Sequence, residues 1–170
     1  MIIAHLPAGY VISRLLLRPA ESLGISATAF LLAGIIGAIA PDLDMFYFHL
    51  VDNRQHHHHT YFTHFPVIWL GLLAASVIWL YNAKLKNRAT YAFIFSLNGF
   101  AHMLFDTIVG DIWWFAPWID KPFAFFTVPA LYNPWWLNFI LHWSFAVELA
   151  ILAWAIYLWC RSRQLSWPFH

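Results

Sequence analysis

The stretch TYAFIFSLNGFAHMLFDTIV, residues 90–109, decides the fold. It spans 20 residues and has no charge before Asp106. A membrane-crossing helix needs roughly 20 mostly apolar residues. Yet His102 and Asp106 stand four residues apart near its end, a spacing that puts both side chains on one helical face. An ionisable pair inside an apolar helix is costly unless it has a task. The segment is therefore read both as one wall of a bundle and as part of a site.

Similar apolar runs lie on either side of it. The patterning predicts helices over about 2–18, 22–40, 65–83, 90–110 and 135–160, in a single membrane-embedded domain over 1–170. The first is short, holds His5, Arg14 and Arg18, and is read as tilted or incompletely spanning. Composition agrees with lipid as the main solvent. Of 170 residues, 62% are hydrophobic, 20% aromatic and 10% charged, with mean hydropathy +0.62. Soluble domains average about 45–50% apolar and about 25% charged residues. A water-soluble globule and a disordered chain are excluded. The net charge of +1 gives no electrostatic case for a nucleic-acid partner. The one cysteine, Cys160, excludes an internal disulfide and a cysteine metal knuckle. The run ending Ala38-Ile39-Ala40 imitates a signal-peptide cleavage site, but Pro41 follows it directly, so the chain is read as uncleaved. The expected fold is all-α: a polytopic bundle of four to five spans with an aromatic-rich outer-leaflet loop.

Basic residues orient that bundle. Arg14 and Arg18 end the first segment, Lys84, Lys86 and Arg88 fill the link before the fourth, and Arg161 and Arg163 follow the last. Placing all three groups in the cytoplasm gives every intervening span the right parity. The links over 41–64 and 110–134 then lie outside. The second is crowded with Trp113, Trp114, Phe115, Trp118, Phe123, Phe125 and Phe126, rings that favour the headgroup level. Such a loop is either a plain aromatic belt or a route for lipid access.

The same orientation gathers most acid and imidazole groups at one face. Asp42 and Asp44 follow the second segment; His56–His59 and His64 precede the third; His102 and Asp106 end the fourth. His5 stands 13 residues before Arg18, about 20 Å along a helix, and so lies near the outer side too. His102 and Asp106 have the spacing to share one metal ion. Asp42 and Asp44 flank a helix stop. His59 and His64, five apart, suit a turn entering a helix rather than one helical face, and Thr63 can cap that helix or touch a substrate oxygen. Each piece also has a plainer explanation: a helix-end aspartate, a solvated histidine loop, a hydrogen bond inside a bundle.

Taken in order, His5-Leu-Pro-Ala-Gly9, Pro41-Asp42-Leu43-Asp44, His59-x-x-x-Thr63-His64 and His102-x-x-x-Asp106-Thr107 resemble the motifs of the LexA-binding, inner-membrane-associated metal-dependent hydrolases. The resemblance runs from His5 to about Phe126. That family is grouped distantly with zinc-dependent phospholipase C and P1-type nucleases, helical enzymes whose His and Asp side chains hold a metal cluster. The chain departs from the pattern at Thr60, Tyr61 and Phe65, where the family has Arg, Gly and Ser. The lost Arg removes a phosphate clamp; Arg54 and Lys121 are candidates to replace it. The further His-x-x-x-Glu pair of the soluble phospholipases is not matched, because Glu148 follows His142 by six residues and so points about 120° away.

The resemblance implies an inner-membrane, multi-pass enzyme with its metal site near the extracytoplasmic face. The implied ligands are His5, Asp42, Asp44, His59, His64, His102 and Asp106, with Asp42, Asp44 and Thr63 as catalytic candidates. Mixed imidazole and carboxylate donors suit Zn²⁺ or Mn²⁺, in one or two ions. The expected partner is membrane lipid, and the expected substrate a lipid-like phosphoester or other ester. Three other readings fit the same residues: a zinc carrier or sensor without catalysis, a polar knot that only holds the helices together, and a divergent inactive member.

Overall fold

The computed structural model describes Met1 and residues 3–165. Among the described residues seven α-helices follow one another: α1 His5–Glu21, α2 Ala27–Ile39, α3 Asp44–Leu50, α4 Pro66–Asn82, α5 Asn87–Asp106, α6 Trp136–Ile140 and α7 Ser144–Leu165. Short 3-10 turns cover Pro41–Leu43, His58–Thr60 and Phe62–His64. The described residues are thus all-α, with one isolated antiparallel bridge, Ile112 to Phe123. The start expected at Ile2 lies outside the described residues, as do residues 166–170.

Among the described residues, one helix is long and apolar enough to cross a membrane by itself, Ser144–Arg163. Ala27–Ile39 and Pro41–Leu50 reach that length together but are bent by 57°. Pro41 sits at the bend, where its missing N–H and fixed φ end one helix and open the next. The run read as one helix over 135–160 is two. Hydropathy is continuous there, but α6 ends at Ile140 and α7 opens at Ser144. Asn138 ties α6 to the loop before it, its Oδ1 accepting from Leu131 N (2.8 Å) and Tyr132 N (2.7 Å) while Nδ2 donates to the Tyr132 and Trp135 carbonyls. His142 lies in the break, its Nδ1 against Ser144 Oγ at 2.9 Å.

α5 is the central element. It packs on α2, α4 and α1, while α7 packs on α1. The apolar core at one end is Leu17, Ala20, Ile25, Phe30 and Ile94. Small residues bring the helices close, as lipid-embedded helices favour. A Cβ on Gly37 would stand 2.1 Å from the Phe95 carbonyl oxygen, so α2 meets the α5 backbone directly. A Cβ on Gly99 would meet the Trp69 ring at 2.0 Å, so α4 lays its indole on α5. Polar side chains close the remaining gaps. Ser76 and Ser96 bond across α4 and α5 (3.0 Å), and Asn98 Nδ2 donates to Ser13 Oγ across α5 and α1 (3.3 Å).

Large apolar side chains cover much of the outside, including Leu70, Val77, Ile78 and Trp79 on α4 and Leu149, Trp154, Ile156 and Trp159 on α7. Patches of this size are foreign to soluble monomers and fit a lipid-facing surface. The aromatic link folds back on the end of α5, with Phe125 N donating to the Thr107 carbonyl (2.8 Å) and Phe126 N to that of Ile108 (3.0 Å).

Candidate metal centre

Four helix ends meet at one end of the bundle. His5 opens α1, Ala38 lies in the last turn of α2, the turn over Phe62–His64 leads into α4, and His102 and Asp106 close α5. Asp42 sits in the 3-10 turn after α2. This places His5, Asp42, His59, His64, His102 and Asp106 together, although 101 positions separate the first from the last.

The imidazoles are aimed by their outer nitrogens. His102 Nδ1 donates to the Ala38 carbonyl (2.7 Å), His59 Nδ1 to the Asp111 carbonyl (2.9 Å) and His64 Nδ1 to Asp44 Oδ2 (2.5 Å). An oxygen acceptor at Nδ1 fixes the hydrogen there and leaves the Nε2 lone pair facing inward, as in metal-binding histidines. The three Nε2 atoms converge on two carboxylates. His102 Nε2 lies 2.9 Å from Asp106 Oδ2 and 3.5 Å from Asp42 Oδ1. His64 Nε2 lies 3.6 Å from Asp42 Oδ1, and His59 Nε2 lies 3.6 Å from Asp106 Oδ2. His5 Nε2 reaches Asp106 Oδ1 at 3.0 Å, and its ring stacks on His102 with centroids 3.6 Å apart. The Met1 amino group donates to the same Asp106 oxygen.

Three adjoining triads result: His64, His102 and Asp106; His5, Asp42 and His102; and His58, His59 and His64. Within each, one potential ligand atom per residue lies within 4.8 Å of the others. His64 Nε2 and His102 Nε2 are buried and have no hydrogen-bond partner among the described residues. A buried polar atom left unpaired costs about 1–3 kcal/mol. Two of them facing each other across carboxylates fit a divalent cation better than they fit an empty polar knot.

Two expected site residues sit one layer out. Asp44, read as a ligand and a base, does not join the triads: Oδ2 takes the His64 Nδ1 hydrogen and also accepts from Thr63 Oγ1 (2.5 Å). The turn over Pro41–Leu43 separates the two aspartates, sending Asp42 inward and Asp44 behind His64. Thr63 therefore steadies Asp44, and Phe65 rather than Thr63 precedes α4. His58 was not singled out by spacing; only the 3-10 turn over His58–Thr60 brings it beside His59 and His64.

Electrostatics follow this layering. Burial opposes a charge on His64, but the facing Asp42 carboxylate, the hydrogen bond to Asp44 and the field of Asp106 outweigh it, pushing the ring up to about 9. Burial also works against the Asp42 carboxylate, yet His64, His102 and His5 hold it down at about 2. Burial, then the neighbouring His64 and His57, take His58 down to about 4. Burial carries His59 well below the usual imidazole range, against the pull of Asp106.

A cleft of about 730 Å³ opens over the cluster. Asp42, Asp106 and His57–His59 form its floor, and Phe46, Val109, Phe126, Val128, Trp135 and Phe139 stand in its walls. Neither Arg54 nor Lys121 lines it; Lys121 borders a separate apolar groove beside Trp114 and Phe115.

No curated protein and no solved structure matches this chain. The model of the YdjM inner membrane protein family matches residues 1–168, so the chain belongs to the YdjM inner membrane protein family.

Proposed function

We propose that the chain is a multi-pass inner-membrane hydrolase that uses a divalent metal, Zn²⁺ or Mn²⁺, to cleave a phosphoester or other ester of a lipid-like substrate at the extracytoplasmic face. The carrying observation is the convergence of Nε2 atoms from His59, His64 and His102 on Asp42 and Asp106, each ring anchored behind by its Nδ1. His64, His102 and Asp106 would hold one ion, with His5 and Asp42 beside them as further donors. Imidazole and carboxylate together favour zinc or manganese over calcium. When bound, such an ion supplies Lewis acidity and a positive charge for the developing oxyanion. Asp42, 38% exposed and ionised, faces the cleft and would orient water by accepting its hydrogen bond. Apolar walls beside a charged floor suit an amphiphile, which would enter from the leaflet past the aromatic loop.

The orientation of the helix ends supports four to five spans and an outward-facing site. All the ligand-bearing ends lie together, while Arg18, Lys84, Lys86, Arg88, Arg161 and Arg163 mark the opposite ends. By the positive-inside rule, those ends are cytoplasmic. A reporter after Arg163 is then cytoplasmic and one at Arg54 is not; the same side for both would overturn the topology.

The function is tested by elemental analysis of detergent-purified protein prepared without a His-affinity step, then by a screen of phosphoesters and lipid esters with each metal. Bound metal and ester cleavage, both lost in His102→Ala, are expected. Bound metal with no turnover on any ester would leave a carrier or sensor; no metal would sink both.

A further inference from the structure

Glu148 belongs to none of the three triads, yet it is 1% exposed and lies in the helix best suited to cross a membrane. An ionisable side chain there is expensive unless it serves something. Its Oε2 accepts hydrogen bonds from Ile3 N (2.6 Å) and Ala4 N (3.1 Å). These are the amides of the two residues that lead into α1, the second being the N-cap, whose N–H has no partner within the helix. Ala4, which precedes α1, has no side chain able to cap, so the acceptor arrives from α7, across the bundle. A carboxylate is also the favoured charge at a helix N-terminus. The very next residue is His5, whose Nε2 lies 3.0 Å from Asp106 and whose ring stacks on His102.

We infer that Glu148 is a positioning residue of the metal centre: it caps the first turn of α1 in trans and so holds His5 against Asp106 and His102. This rests on the metal-centre reading and deepens it. Two amides converging on one oxygen fix both the height and the rotation of the first turn, and His5 is the residue that inherits that setting. The last helix supplies no ligand to the triads but determines where one ligand stands.

The test uses Glu148→Leu, which deletes the acceptor with little change of volume, and Glu148→Gln, which keeps an acceptor oxygen without the charge. The full chain is purified in detergent and read in two ways. Zinc affinity is measured by competition with a chromophoric chelator. Amide hydrogen exchange at Ile3, Ala4 and the first turn of α1 is measured on zinc-free protein. Glu148→Leu is expected to weaken zinc binding about 10- to 100-fold, as loss of an outer support does, and to speed exchange in that turn; Glu148→Gln restores most of both. Unchanged affinity and unchanged exchange in Glu148→Leu would overturn the assignment, as would Glu148→Gln failing as badly as Leu. Where Leu prevents folding, Glu148→Asp withdraws the acceptor by one methylene and is expected to weaken zinc binding with helicity retained; wild-type binding and exchange there would overturn the assignment. A wild-type chain that takes up no zinc would remove the metal reading alone, and the exchange measurement would still decide the cap.

Discussion

The two halves of α5 bury polar side chains equally well and treat them oppositely. In its middle, Ser96 donates to the Ala92 carbonyl and meets the Ser76 hydroxyl, so that hydroxyl is closed on its neighbours. At its end, His102 is just as buried but presents an Nε2 with no aligned partner to a space shared with His64 and two carboxylates. The first pattern is glue between helices. The second is a receptor, because it keeps lone pairs waiting. Burial of a polar group therefore does not distinguish structure from function here, and neither does a single unpaired atom, since Asn98 Oδ1 in the middle of α5 is also buried without a partner among the described residues; the convergence of imidazoles on shared carboxylates does.

The contrast can be broken in order of effect. Asp106→Ala should abolish metal uptake while leaving membrane insertion intact, since it removes the carboxylate facing His5, His59 and His102. Unchanged metal content on elemental analysis would end the distinction between the two halves. Asp44→Ala should weaken zinc about 10- to 100-fold by removing the acceptor of His64 Nδ1, and unchanged affinity in chelator competition would expose a carboxylate that does nothing. A gentler perturbation is pH. His64 is raised to about 9, so below that value a proton competes with the ion and binding must expel it. Zinc affinity should rise by up to about tenfold per pH unit from about 6.5 towards 9 and then flatten; calorimetry in buffers of different ionisation enthalpy would count the proton released. The smallest effect belongs to the closed half. Ser96→Ala should cost about 0.6 kcal/mol of stability, the average for such interhelical bonds, and leave zinc affinity untouched. A marked loss of zinc there would mean that the halves are coupled.

Much of this was readable from residue types. Long apolar runs located α1, α2, α4 and α5 to within about five residues and announced α7 with a start nine residues too early, and the clustered His and Asp marked the end at which the site forms. Three things were not. The break before Ser144 is held by His142 Nδ1 against the Ser144 hydroxyl and N–H, a local contact that hydropathy does not register. The different fates of Asp42 and Asp44 depend on one 3-10 turn, which two acids two residues apart cannot announce. The anchors of His102 and His59 are the carbonyls of Ala38 and Asp111, and every residue has a carbonyl. Gly37 carries a trace of the first: only a residue without Cβ lets α2 approach near enough to offer that oxygen.

The outer anchoring of the rings has a last consequence. Were the His59 or His102 ring to turn over, it would aim a lone pair at an oxygen and thrust a hydrogen into the carboxylate nest. Each ring is thus keyed in one sense before any cation arrives. The entropy of aligning donors is met when the helices assemble, leaving capture to depend mainly on desolvation and proton exchange.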